Sequence, residues 1–383
     1  MKLEIRNFQK IKEADIKIEG ITLIAGKNDT GKSTSSKWLY SILFSTFGKE
    51  QILNSNMNTV FAEYLMDNFA DFSVDMKNSD IREFIGLILS FKREDFSINE
   101  VLSKFEKVFK NDSKYKKIQS SANKINREIL EDFMSEKVFY NIIENEFQNQ
   151  LTKGSIVKLI KNSDEKTKIL EFEIEENNTR RVYINDKEMD RLKFINVIYI
   201  ESPFVLERSL LVTDSDEVFS NFSYHSRDLF KMLFKTRQEN IFDDSENKML
   251  EIIEKMLKGK LVFENDRHTR TVEFIDNENN KCKLSNIATG IKVIGMIQKL
   301  LENGSMRKNN IVIIDEPEVH LHPEWQVFFV ELMILIHKEM NVKFYINTHS
   351  PYIIESLQVY SKLYKDVNIN YYLAEKEGNQ SKI

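Results

Sequence analysis

The spacing of apolar and polar residues changes period several times along the chain. Residues 2–5 and 14–18 alternate with the two-residue period of half-buried strands. Residues 21–25 read as a buried strand that runs straight into a glycine-bearing loop. Residues 33–44 follow, with Trp38, Leu39, Ile42 and Leu43 at helical spacing. From about 51 to 151 the pattern is helical and free of proline. Phe61, Tyr64, Leu65 and Phe69 share one face there, and Ile81, Phe84, Ile88 and Phe91 share another. The heptad is not sustained, so no long coiled-coil arm is expected. Strand signals return at 169–174, 181–184 and 196–200, and 216–257 is helical again. Residues 260–264 and 271–275 predict a hairpin over Asn265 and Asp266. The C-terminal part then alternates: helix 290–303, strand 311–314, helix 324–340, strand 343–346, helix 351–360. That rhythm belongs to a parallel sheet. No repeat or Gly/Ser linker separates the parts, so the helical stretches read as insertions into an α/β domain.

Composition narrows the class. The chain has 383 residues and is 41% hydrophobic, enough for a sizeable core. Only 4 Pro and 11 Gly argue against disorder and against an all-β fold full of tight turns. Acids number 60 and bases 55, so no global basic field attracts nucleic acid. A local patch is the alternative. Lys110, Lys114, Lys117 and Lys124 fall on one helical face, with Asp112 the only acid between Lys110 and Arg127. Such a face is either solvated surface or a contact for DNA or RNA phosphates. The single cysteine, Cys282, excludes an intramolecular disulfide and fits a reducing compartment. The N-terminus lacks an apolar signal region, and no run of about 18 apolar residues occurs. A cytoplasmic protein with no membrane partner is expected.

Three short segments carry the chemistry. Gly26-Lys27-Asn28-Asp29-Thr30-Gly31-Lys32-Ser33 fits the phosphate-binding pattern G-x-x-x-x-G-K-[ST], between a strand and a helix as that motif requires. Its backbone N–H groups would cradle phosphate oxygens, with Thr34 following at the helix start. Lys32 would bridge the β- and γ-phosphates of ATP, and the Ser33 hydroxyl would ligate Mg²⁺. Residues 311–314 end in Asp315 and Glu316. Asp315 suits a second Mg²⁺ contact, and Glu316 suits a general base that orients water; its bland alternative is a helix cap. His349, after strand 343–346, is placed to reach the γ-phosphate, or else is a hydrogen-bonded core histidine. His320 and His322 suggest either a metal site with His349 or an ordinary loop. Phe8 or Arg6 could stack on adenine, although Phe8 suits a core equally well.

These residues resemble a known group. The run Asp315-Glu316-Pro317-Glu318-Val319-His320-Leu321-His322-Pro323 is similar to the Walker B and D-loop region of the AAA_15/AAA_21 group of SMC-like ABC ATPases. That group is related to the ATPase part of overcoming-lysogenization-defect (OLD) nucleases and to the Septu defence ATPase. Ile5-Arg6-Asn7-Phe8 and Gly20-Ile21-Thr22-Leu23-Ile24-Ala25-Gly26-Lys27-Asn28 resemble it too. So does Asn286-Ile287-Ala288-Thr289-Gly290-Ile291-Lys292, at the place of the ABC signature. The likeness covers residues 1–45 and 260–375. It implies an ABC/SMC-type P-loop ATPase head: a mainly parallel core sheet, an antiparallel β subdomain and large helical insertions. It also implies a head-to-tail homodimer, or a higher homo-oligomer, in which Thr289 and Gly290 of one subunit face the γ-phosphate held by the other. Ala288 replaces the usual serine, leaving Thr289 or Ser285 to supply a hydroxyl. No clear Q-loop glutamine follows strand 196–200, where Glu201 or Ser202 stands instead.

The expected organisation is a first ATPase lobe at 1–50, a helical insertion at 51–154 and a β-rich continuation at 155–210. A second insertion at 211–259 and a second lobe at 260–383 complete it. Too few residues follow His349 for the Toprim nuclease domain of OLD nucleases. The resemblance therefore implies an ATP-controlled switch in prokaryotic anti-phage defence with a separate effector, a nuclease or toxin. A RecF- or SMC-like DNA clamp and an ABC transporter ATPase subunit are the alternatives.

Overall fold

Strands whose residues are apolar on both faces need cover on both faces, and here they form one end of a large sheet, flanked by helices. The computed structural model describes residues 1–47, 135–147 and most of 150–383, with isolated positions from 65 to 123. Within the last stretch it leaves out 162–163, 176–178, 193–194, 202–204, 211–221, 236–243, 266–269, 320 and 366. The chain divides into two units, residues 1–44 with 142–383, and residues 45–141.

In the first unit β1 (Lys2–Phe8), β2 (Ile11–Lys17) and β3 (Ile21–Gly26) precede helix α1 (Lys32–Phe47). Helix α2 (Ser135–Phe147) joins this unit from Ile142 onward. Then come β4 (Ser155–Lys161), β5 (Asp164–Ile174), β6 (Arg180–Ile184), α3 (Asp186–Leu192), β7 (Val197–Ile200), α4 (Val205–Leu210), α5 (Tyr224–Phe234) and α6 (Asp244–Leu257). A small sheet follows, of β8 (Gly259–Asn265), β9 (Arg270–Asp276) and β10 (Lys281–Lys283). The chain closes with α7 (Thr289–Glu302), β11 (Ile311–Asp315), α8 (Pro323–Met340), β12 (Lys343–Thr348), α9 (Pro351–Leu363), β13 (Ile369–Glu377) and β14 (Gln380–Lys382).

Among the described residues the large sheet has eleven strands, in the order β6-β5-β4-β1-β2-β14-β13-β3-β12-β11-β7. Its half from β13 to β7 is parallel. Its other half, β6 to β2, is antiparallel. The antiparallel part is not a sheet of its own. β14 pairs with β2 on one side and β13 on the other, and so fuses the two halves. Neither β13 nor β14 is evident in the sequence, because Tyr371, Tyr372 and Leu373 are consecutive and hide a two-residue period. Strand β4 has no strand signal of its own in the sequence either, and β5 extends beyond the signal at 169–174.

The core sits between the parallel strands and α5 to α8. Val312, Ile314, Phe344 and Ile346 meet Ile294, Ile297, Phe329 and Met333 in one buried cluster. On the other side of the phosphate loop, Phe8 packs edge-on against Trp38 and Phe147 at 5.1 Å each. Phe8 has no exposed surface, so its sequence-level candidacy for stacking on adenine does not stand. Arg6 points its guanidinium at Asp15, 2.9 Å away, and at the Ala14 carbonyl. In the second unit Leu65, Ile88, Ile118 and Phe139 are buried. Phe61, Tyr64, Phe69, Ile81, Phe84 and Phe91 lie outside the described residues, as do Lys110, Lys114, Lys117 and Lys124. Among the described residues no helix is long and apolar enough to cross a membrane.

Candidate functional site

Four parallel strands end along one edge of the sheet. β3 runs into residues 26–33, its neighbour β12 into residues 347–350, the next strand β11 into Asp315 and Glu316, and the last, β7, into Glu201. The carboxyl edge of an open parallel sheet is where ligands bind in this class of fold. Three segments far apart in sequence thus become neighbours.

The loop is built for close backbone approach. Gly31 has φ +83°, and a Cβ there would sit 2.5 Å from Ile11 Cγ1, so both conformation and space demand glycine. Thr30 donates to the Lys27 carbonyl at 2.8 Å and tightens the turn. Helix α1 starts at Lys32, so its first N–H groups lack intrahelical partners and open toward the loop. Lys32 is buried, and its ammonium donates to the Gly26 and Lys27 carbonyls at 2.9 and 2.8 Å. Burial pushes this ammonium below the ordinary lysine value, against the attraction of Glu316, Asp315 and Glu318. Asn28 is exposed, and Asp29 is engaged outside the loop with Lys10 and Lys376 at 3.4 and 3.5 Å. Thr34 likewise turns to Gln9, at 3.2 Å.

Beside the loop lies a buried polar network. Asp315 accepts from Asn347 Nδ2 at 3.0 Å and from the Tyr199 hydroxyl at 3.2 Å. Ser36 Oγ meets the same Asn347 amide at 3.0 Å and the Tyr199 hydroxyl at 2.9 Å. Ser35 meets the Tyr345 hydroxyl at 2.8 Å. Burial pushes the Asp315 carboxyl above the usual aspartate range, and hydrogen bonds from Ser33 and Asn347 pull it back. A carboxylate in that position gains from a bound cation.

Glu316 takes the left-handed conformation, φ +49°, while its N–H donates to the Asn347 carbonyl at 2.9 Å. A non-glycine residue held there stores backbone strain, a feature of functional turns. Its side chain is half-buried. His349 Nδ1 lies 3.8 Å from Glu316 Oε1 but only 3.0 Å from Glu318 Oε1. Both His349 and Glu316 therefore stand at the carboxyl edge, with Glu318 behind them. Glu318 belongs to the same sequence motif as Glu316, and its place two residues after Glu316 is its signal.

At the β7 end stands a second network that no local pattern reveals. The ring of His225, on α5, meets Glu146 of α2 at 2.6 Å and Glu201 at 3.1 Å. Burial works against the charged ring, yet its bonds to Glu146 and Glu201 raise it to about 9. The bond from His225 lowers Glu201 to about 2 although burial opposes it. Lys37 of α1 approaches Glu201 at 3.7 Å. Glu201 thus occupies the place where a Q-loop glutamine was sought, as a held carboxylate; Ser202 lies outside the described residues.

Thr289 and Gly290 open helix α7, and the cap residue Ala288 makes no side-chain capping bond. Ser285 is exposed and bonds to Asn286 at 3.3 Å. Among the described residues no hydrogen bond joins Thr289 or Gly290 to the phosphate loop. Gly290 also has a packing reason: a Cβ there would lie 2.8 Å from the Trp325 ring. His322 is exposed, His320 lies outside the described residues, and among those described no cluster of three or more His, Cys, Asp or Glu could hold a metal.

Residues 1–354 match the model of AAA_15, an AAA ATPase domain. The chain belongs to the AAA_15 family. Endonuclease GajA of Bacillus cereus (strain HuB5-5) is 24% identical over 380 residues, covering 88% of this chain and 52% of that protein. The chain spans about half the length of this curated relative. Among solved structures, an Smc head bound to the C-winged helix domain of ScpA matches at a TM-score of 0.44 and 12% identity, covering 100% of this chain and 95% of that one. The SMC head domain from Thermotoga maritima matches at 0.42 and 12%, covering 100% and 96%.

The site fits the nucleotide and metal that AAA_15 membership implies. Asp315 is a buried carboxylate with the Ser33 hydroxyl near it, an oxygen donor set that suits a hard divalent cation. Lys32 is a buried cation inside the loop, and Glu316, Asp315 and Glu318 attract its charge. Sequence reasoning missed Ser36, which follows Ser33 on α1, and it missed Tyr199, Asn347 and the Glu146–His225–Glu201 chain, which other elements bring in.

Proposed function

We propose that this chain binds and hydrolyses ATP in a head-to-tail homodimer and serves as a nucleotide-controlled switch in prokaryotic anti-phage defence. A separate effector, a nuclease or toxin, performs the output. The observation that carries the ATPase reading is the alignment of residues 26–33, Asp315 with Glu316, and His349 on the adjacent ends of β3, β11 and β12. Gly26 to Ser33 would hold the phosphates, with Lys32 leaving its carbonyl partners for phosphate oxygens. Ser33 and Asp315 would hold Mg²⁺, which when bound offsets charge between the β- and γ-phosphates. Glu316 would orient and deprotonate the attacking water, and His349 would contact the γ-phosphate. Thr289 and Gly290, at a helix N-terminus apart from the loop, would complete the site of the opposite subunit.

The defence role draws on the resemblance to OLD-type and Septu-type ATPases. An endonuclease among the relatives supports an output on nucleic acid. We assign cleavage to the partner, not to this chain.

The decisive pair of variants is Lys32→Ala and Glu316→Gln. In calorimetric titration Lys32→Ala should lose ATP affinity by tenfold or more, since one charge-assisted contact is worth about 1.5–3 kcal/mol. Unchanged affinity would refute the loop assignment. Glu316→Gln should bind ATP normally while hydrolysis slows by about 10²–10⁴. It should also accumulate a dimer in ATP, seen in light scattering. Wild-type turnover in this variant removes Glu316 as the base.

A further inference from the structure

We propose that Glu318 is the positioning residue of His349: it holds the ring by Nδ1–H and thereby makes Nε2 the nitrogen that meets the nucleotide. Three polar groups converge on one Glu318 oxygen, two of them as hydrogen-bond donors. Thr348 Oγ1 lies at 2.8 Å, the His349 backbone N at 2.6 Å and His349 Nδ1 at 3.0 Å. The last two come from the same residue: this oxygen accepts from the His349 backbone N–H and lies within ion-pair reach of the ring nitrogen, which forms no hydrogen bond to it without nucleotide. Glu318 has 4% of its side chain exposed, against 45% for His349.

Glu316 is the competitor for this role, and distance decides against it. Its Oε1 is 3.8 Å from Nδ1, outside hydrogen-bond reach. Two glutamates two residues apart therefore divide the work. Glu318, buried, holds the histidine. Glu316, with 32% of its side chain exposed, keeps its oxygens for water.

A loop clasp alone does not explain a carboxylate here. A neutral amide would accept from Thr348 and from the backbone N–H equally well. Glu318 Oε2 is buried and lacks a hydrogen-bond partner among the described residues, a costly arrangement for a charged group. What a carboxylate adds is a strong, oriented acceptor for an imidazole N–H. An imidazole that donates from Nδ1 has its remaining nitrogen, Nε2, for another partner. No hydrogen bond among the described residues uses that nitrogen.

The proposal rests on His349 contacting the γ-phosphate, so its test separates the two. The full-length protein, labelled with ¹⁵N-histidine, is observed by NMR without nucleotide, and the His349 signals are identified by their loss in His349→Gln. In the wild type Nδ1 should carry a proton. In Glu318→Ala the ring should move toward the Nε2–H tautomer, and Glu318→Gln, whose neutral amide still serves Thr348 and the backbone N–H, should show less of the Nδ1–H form than the wild type. Melting temperature establishes that each variant is folded. A wild-type ring protonated only on Nε2 overturns the proposal without any variant. So does a folded Glu318→Ala protein with an unchanged tautomer. In turnover, Glu318→Ala should lower kcat about 10- to 100-fold with ADP affinity unchanged, the usual effect of removing a carboxylate that orients a functional histidine. Unchanged kcat alongside an altered tautomer refutes the positioning role. If the wild type binds no ATP, the ATPase reading fails while the tautomer result stands.

Discussion

At the residue scale, His225 shows how a buried ion pair can tie remote elements to the nucleotide edge. Its ring is raised to about 9 by Glu146 and Glu201, above an ordinary value near 6.5 in the unfolded chain. The stability contributed by its proton is thus fully present below about pH 6.5 and is lost as pH rises through 9. Glu201, lowered to about 2, works in the opposite direction: its contribution is present above about pH 4.5 and is lost as pH falls through 2. The melting temperature should therefore decline between pH 6.5 and 9.5, and His225→Gln should flatten that decline. An equal decline in the variant would assign it to other groups. Asp315 differs in kind. It is raised by burial, and so a bound cation, more than solvent, is its natural partner.

At the element scale, packing explains two residues whose types otherwise invite a purely functional reading. Gly290 begins α7 where a signature glycine is expected, and it also lies against the Trp325 ring on α8. Gly290→Ala should destabilise the protein by about 1–3 kcal/mol through overpacking. Denaturant unfolding measures this apart from ATP turnover, and a loss of turnover at full stability would show the glycine acting at the dimer site alone. Trp38 on α1 is buried with Phe8, Phe147 and Phe172 around it. It fastens the helix that carries the phosphate loop to the antiparallel strands. Trp38→Ala should cost about 3–5 kcal/mol and weaken nucleotide binding indirectly, because the start of α1 is no longer held.

At the scale of the whole molecule, the question is how ATP reaches a partner. If ATP binding and partner binding are coupled, each must change the other's affinity by the same factor. A partner identified from a neighbouring gene should bind Glu316→Gln in ATP with an affinity different from that for the nucleotide-free wild type. Equal affinities would leave ATP without a role in that association. The purified chain incubated with DNA or RNA, divalent metal and ATP should leave the nucleic acid intact. Metal-dependent cleavage that a substitution outside the ATP site abolishes would place the nuclease in this chain.

The local sequence determined those features that local physics controls. A phosphate loop needs glycines, a lysine and a hydroxyl at set spacing between a strand and a helix, so residues 26–33 were legible at sight. Buried parallel strands are apolar throughout, so 311–314 and 343–346 stood out, and with them Asp315, Glu316 and His349 at their ends. Tertiary structure decided the rest. The fusion of the parallel and antiparallel strands depends on β13 and β14, whose pattern has no clean period and whose pairing is set by neighbours. Phe8 could have been a stacking surface or a core residue, and only the rings around it settled which. Glu146, Glu201 and His225 come from three elements, and no spacing in the chain predicts that they meet. Glu318 lay in plain view within a quoted motif. The His349 backbone N–H reaches Glu318 because the ends of β11 and β12 lie side by side, a property of their pairing and not of either strand alone.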